Sequence, residues 1–119
     1  MKRFVRTLAV AAVAGAGFAL PGAPAQAADG AILTAGFQFI PPTVVVAEGD
    51  GLQHTNADIA PHNVVSTQVD GNNKPLFESP LIGVAKTAAV TGVPDLAAGS
   101  YPFFCDRHEF MRGVVTVTP

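Results

Sequence analysis

The chain has 119 residues, 49% of them hydrophobic and 13% charged, with seven Lys and Arg against nine Asp and Glu. That is room for one small domain, and it leaves no surplus of positive charge for a phosphate backbone or an anionic membrane surface. A single cysteine, Cys105, excludes an internal disulfide.

At the N-terminus Lys2, Arg3 and Arg6 precede an apolar run from Leu8 to Leu20, and Ala25-Gln26-Ala27 has the small-x-small pattern of a cleavage site. Residues 1–27 therefore read as a secretory signal peptide. Pro21 and Pro24 interrupt the apolar run and no cysteine stands at the cleavage site to accept lipid, so no membrane anchor is expected. Cleavage after Ala27 leaves a single domain, residues 28–119, with four basic residues (Lys74, Lys86, Arg107, Arg112), nine acidic ones and a formal charge of −5. The expected location is the periplasm or the extracellular medium. There an exposed free thiol is lost to oxidation, which favours a metal-bound role for Cys105.

The rest of the chain is rich in Val, Thr, Ile and Phe, punctuated by Gly and Pro, with no persuasive helical period. Strands are predicted at Ile32–Phe39, Thr43–Ala47, Leu52–Asn56, Asn63–Thr67, Thr87–Val93, Ser100–Cys105 and Gly113–Thr118. Turns fall at "IPP", "EGDG", "NADIAP", "DGNNKP" and "VPDLAAG". Seven or eight short strands in such a length imply an all-β sandwich of two sheets. In the last strand Val115 and Val117 alternate with Thr116 and Thr118, placing the valines inward. Before it, Tyr101, Phe103 and Cys105 share one face, so Cys105 ends a buried strand and a loop carries His108 and Met111 across the tip.

Cys105, His108 and Met111 bring a thiol, an imidazole and a thioether together at three-residue steps, and "APHNVV" supplies a second imidazole, His62, at the start of a strand. If the two strand ends meet at one pole, His62, Cys105 and His108 form a trigonal nitrogen, nitrogen and thiolate set with Met111 as a weak axial donor. That is the coordination of a blue copper site. Singly, such residues are ordinary: a buried small hydrophobe, a hydrogen-bonded histidine, a gap-filling methionine. Their joint occurrence carries the metal reading, although two histidines and a cysteine also suit zinc.

"GDGLQHTNADIAPHNVV" and "GSYPFFCDRHEFMRGVVTV" resemble the two copper-binding segments of small cupredoxins, and the Cys-x-x-His-x-x-Met spacing is similar to the amicyanin type rather than the plastocyanin type. The resemblance implies a Greek-key β-sandwich, one type 1 copper per chain held by His62, Cys105, His108 and Met111, and an electron carrier that is not an enzyme. It also implies that Asn63 ties its strand to the cysteine loop. Asp106 and Arg107 stand where relatives often have Ser or Thr and Pro, so the loop beside the copper is more charged here. His54 stands where relatives usually have Trp or another large apolar residue; it is expected to be structural, with a ring nitrogen paired inside the upper core. Phe110 and Glu109, next to the solvent edge of His108, are expected to form the docking patch.

No nucleophile elbow, phosphate-cradling glycine loop or H-E-x-x-H motif occurs. The expected role is therefore a soluble, exported, monomeric copper protein passing single electrons between redox proteins of the cytochrome, dehydrogenase or oxidase type. The alternative is a copper carrier or sensor that binds Cu(I) without redox turnover.

Overall fold

The computed structural model describes residues 29–119. The expected signal peptide, residues 1–27, lies outside the described residues. Eight strands follow in chain order: β1 Gly30–Ala35, β2 Gln38–Ile40, β3 Thr43–Ala47, β4 Leu52–Asn56, β5 Val65–Ser66, β6 Thr87–Ala89, β7 Gly99–Cys105 and β8 His108–Thr118, with a 3₁₀ turn at Val93–Asp95 before β7. They form two four-stranded sheets, ordered β2-β1-β4-β6 and β3-β8-β7-β5. Both sheets are mixed: β1 runs parallel to β4 with Thr34 opposite Asn56, and β3 runs parallel to β8 with Val44 opposite Val115. The remaining strand pairs are antiparallel. Among the described residues no helix is long and apolar enough to cross a membrane.

Period-two alternation builds the core between the sheets. Ile32 and Leu52 enter it from one sheet, and Val44, Val46, Phe103, Val115 and Val117 from the other. The rings of Phe39 and Phe103 meet edge to face at 4.8 Å between centroids, and the Phe77 ring lies 6.5 Å from that of Phe103. Each such side chain removed from water contributes about 1.5–3 kcal/mol. The pattern of β4 departs from this, because Leu52, His54 and Asn56 all point inward and two of the three are polar.

The predicted strand Ile32–Phe39 is in fact a hairpin. Gly36 and Phe37 both have φ of 58°, the left-handed pair that a tight two-residue hairpin turn requires, and the phenylalanine hides this turn from a propensity reading. Asn63–Thr67 contracts to Val65–Ser66, since the Val64 N–H is taken by the Ser79 hydroxyl instead of a strand partner. Thr87–Val93 stops at Ala89: Gly92 has φ of 99° and Pro94 opens the 3₁₀ turn that takes up Val93. The last strand starts five residues earlier than predicted, at His108. His108 and Met111 therefore sit on β8 itself, and the expected loop shrinks to the two residues Asp106 and Arg107.

Candidate metal centre

Cys105 ends β7 and His108 begins β8, and the two-residue turn makes them register partners. One residue earlier, Phe104 lies opposite Arg112, so Glu109, Phe110 and Met111 have no partners across the hairpin. This bulge breaks the period of two. As a result Met111, three residues beyond His108, is buried at 2% exposure and shares the core cluster with Cys105. His62 comes from the opposite direction, where its backbone exchanges both hydrogen bonds with Ile82.

The donor atoms of His62, Cys105 and His108 lie within 4.8 Å of one another. Sγ of Cys105 is 3.8 Å from Nδ1 of His62 and 3.7 Å from Nδ1 of His108. Bonds of about 2.0 Å to nitrogen and 2.3 Å to sulfur, meeting at about 120°, would span about 3.7 Å from N to S. The triangle thus fits a single soft-to-borderline metal ion. Cys105 and His62 are fully buried, while His108 is half-buried.

The tautomer of His62 follows from its neighbour. Its Nε2 lies 2.9 Å from Oδ2 of Asp58, and an ionised carboxylate can only accept, so Nε2 carries the proton and Nδ1 presents its lone pair toward the sulfur. Asp58 also accepts the N–H groups of Phe37 at 2.7 Å and Ile59 at 2.9 Å. The Phe37 N–H first, then the His62 ring and the Ile59 N–H, hold the Asp58 carboxyl below its ordinary value against a burial effect of opposite sign. A carboxylate behind a ligating imidazole fixes the tautomer and orientation of the ring.

Phe37 packs over the pole from the β1–β2 turn. Its ring is edge-on to His62 at 5.4 Å and to His108 at 5.1 Å, and 6.4 Å from Phe110. Backbone strain held at such a place marks a site the surrounding structure over-determines. Phe110 is 72% exposed and lies 6.2 Å from the His108 ring. Asp106, Arg107 and Glu109 are exposed. The Asp106 N–H donates to Oδ1 of Asn63 at 3.1 Å, joining the residue after His62 to the residue after Cys105.

His54 is not at the centre. Its fully buried ring lies lower in the sandwich, with Nε2 3.1 Å from the Thr34 hydroxyl and Nδ1 3.4 Å from that of Ser79. Burial, and then the nearby His62, push its pKa down to about 4. Asp58 and Phe37 are the residues of this pole that sequence reasoning misses. Asp58 leaves one signal, an acidic residue four places before His62; Phe37 leaves none.

Two imidazoles and a cysteine sulfur with donor atoms within 4.8 Å of one another, and a methionine buried in the same core, are what a blue copper protein of the cupredoxin class has in its two-sheet β-sandwich. Residues 27–118 match the family of copper binding proteins described as plastocyanin/azurin. Among curated relatives, amicyanin-alpha of Methylorubrum extorquens is 34% identical over 114 residues, covering 96% of this chain and 89% of its own length. Amicyanin of Paracoccus denitrificans is 36% identical over 100 residues, covering 82% and 72% respectively. A plastocyanin of Synechococcus sp. is 28% identical over 75 residues, and the match spans 60% of this chain and 55% of that protein's length. Among solved structures, the Cu(I) form of an amicyanin variant superposes with a TM-score of 0.63 at 29% identity, covering 78% of this chain and 84% of the other. A purple cupredoxin from Nitrosopumilus maritimus does so with a TM-score of 0.59 at 27% identity, covering 76% of this chain and all of that one. The chain belongs to the plastocyanin/azurin family of copper-binding proteins, and its cofactor is copper.

Proposed function

We propose that the chain is an exported carrier of single electrons, in which His62, Cys105 and His108 would hold the copper and Met111 would add a thioether donor. The observation that carries this reading is the triangle of donor atoms within 4.8 Å, with one imidazole already held in its ligating tautomer. Copper bound there would supply a one-electron Cu(II)/Cu(I) couple whose thiolate gives intense colour. The chain's own part is to hold the donors still. Asp58 keeps Nδ1 of His62 free for the metal, Asn63 ties the two ligand-bearing segments together through the Asp106 N–H, and the core around Cys105 and Met111 keeps water away.

Docking falls to the half-buried His108 edge and its surroundings. Phe110 offers the apolar contact, and Asp106, Arg107 and Glu109 offer charge that steers a redox protein of the cytochrome or dehydrogenase type. The carrier acts as a monomer in the periplasm or the external medium. Loading the purified protein with Cu(II) tests the reading: strong absorption near the red end of the visible spectrum and a reversible one-electron potential are expected. A colourless complex with no reversible potential would replace it with the carriage of Cu(I).

A further inference from the structure

The aromatic position of β4 holds an imidazole, and the hydrogen bonds around it can be followed proton by proton. Asn56 is the fixed point. Its Oδ1 accepts the Asp58 N–H and faces the Thr34 hydroxyl, both at 2.9 Å, while its Nδ2 donates to the carbonyls of Ala60 at 2.9 Å and Ile82 at 3.0 Å. Turning the amide over would set two donors against the Asp58 N–H and Thr34, and an acceptor against two carbonyls, so its orientation is unambiguous. The single Thr34 proton is therefore committed to Asn56, and the other acceptor in range, the Thr55 carbonyl at 3.5 Å, is the poorer one. Thr34 can then only accept from His54, at 3.1 Å, which places the His54 proton on Nε2 and leaves Nδ1 facing the Ser79 hydroxyl at 3.4 Å, whose one proton is shared with the Pro80 carbonyl at 3.2 Å. Ser79 in turn accepts the N–H of Val64 at 2.9 Å.

Both arms of this chain end on the segment that carries His62. One arm runs His54, Thr34, Asn56 to the Asp58 N–H and the Ala60 carbonyl, upstream of the ligand. The other runs His54, Ser79 to the Val64 N–H, two residues downstream. We propose that His54 is a positioning residue that clamps the His62 segment from both sides, through Thr34 and Asn56 on one side and Ser79 on the other. The proposal rests on the reading of His62 as a copper ligand, since it is for that role that a fixed segment matters. A hydrocarbon ring in the same space would pack as well against Phe39, whose centroid lies 6.4 Å away, but it would leave the Thr34 lone pair without its donor and the Ser79 proton with the Pro80 carbonyl alone.

Amide hydrogen exchange of the metal-free protein tests this directly. In His54→Phe the Asp58 and Val64 amides are expected to exchange about 2- to 12-fold faster relative to Val115 and Val117 in β8, the ratio equivalent to one net hydrogen bond. His54→Gln, whose amide nitrogen reaches the place of Nε2, should restore the Asp58 amide. Thr34→Val should speed Asp58 and leave Val64 unchanged, because it cuts one arm only. With copper bound, the visible band and the potential should shift in His54→Phe and return in His54→Gln. A uniform acceleration that includes β8, or none at all, would overturn the clamp by reducing His54 to core filling. A wild-type protein that takes up copper without colour would instead sink the electron-carrier reading, and the exchange pattern would stand unaffected.

Discussion

The two imidazoles that face Cys105 are held in opposite ways. His62 is fully buried, and its ring is locked by Asp58, which is itself bonded to Phe37 and Ile59. His108 is half-buried at the first residue of β8, beside a turn of exposed charged residues. The same side chain at two ends of one triangle therefore has two jobs on the proposed reading. A group fixed before the metal arrives keeps the geometry common to both oxidation states; a group at the surface gives the electron its way in and out. The most direct way to break the comparison is to remove the donor both histidines share. Cys105→Ser should abolish the visible band altogether while the circular dichroism of the β-sandwich persists. Colour surviving in that variant would remove the thiolate from the centre.

The asymmetry itself is measured by copper affinity. Asp58→Ala frees the His62 ring and strands its Nε2 proton, and outer partners of this kind are worth about 10- to 100-fold in metal affinity. Glu109→Ala, on the His108 side, should change affinity by less than about twofold, because the residue is exposed and supports neither imidazole in the structure. Competition titration against a chelator reads both. Equal losses would mean that the two histidines are held alike.

Acid should reveal the buried side as well. In the folded protein His54 stays neutral down to about 4, whereas in the unfolded chain it takes up its proton near 6.5. Between these values the unfolded state binds more protons, so stability falls as pH drops from 6.5 towards 4, with a slope approaching about 1.4 kcal/mol per pH unit. Asp58 acts in the same direction lower down, its stabilisation present above 3.8 and lost as pH falls through its depressed folded value. Urea titrations of metal-free protein across both windows should show the upper limb vanish in His54→Phe and the lower one remain. An unchanged upper limb would show that His54 is not the group being titrated.

What the sequence discloses follows the same division. Cys105, His108 and Met111 are legible because they are close in the chain, and His62 because Pro61 and Asn63 flank it in a recognisable run. The alternation of Val115 and Val117 reads correctly for the same local reason, and β3 and β4 fall where propensity puts them. Asp58 is hidden because its meaning lies in a bond to Phe37, 21 residues away on another strand turn. The bulge that turns both His108 and Met111 inward is a property of the pairing between β7 and β8, which no one-strand pattern contains. Phe37 is hidden most deeply, since a phenylalanine with positive φ contradicts its own propensity and only the tertiary environment explains it.

That turn gives the smallest test of the comparison. The β7–β8 turn beside His108 contains no residue with positive φ, while the β1–β2 turn over His62 contains Gly36 and Phe37, both at 58°. Left-handed backbone costs an ordinary residue about 1–2 kcal/mol and glycine almost nothing. Phe37→Ala and Phe37→Gly remove the same ring from over His62 and His108, so the loss of packing cancels between them. Glycine gives back about 0.4–1 kcal/mol through the greater freedom of its unfolded chain. Phe37→Gly should therefore be more stable than Phe37→Ala by about 0.5–1 kcal/mol, the opposite of the order expected in a regular strand, where glycine is the worse residue. Chemical denaturation of the two variants side by side decides it. If alanine proves the more stable, the backbone strain in the turn is smaller than what glycine gives back through its unfolded chain, about 0.4–1 kcal/mol, and the ring of Phe37 stands over the imidazoles at little backbone cost.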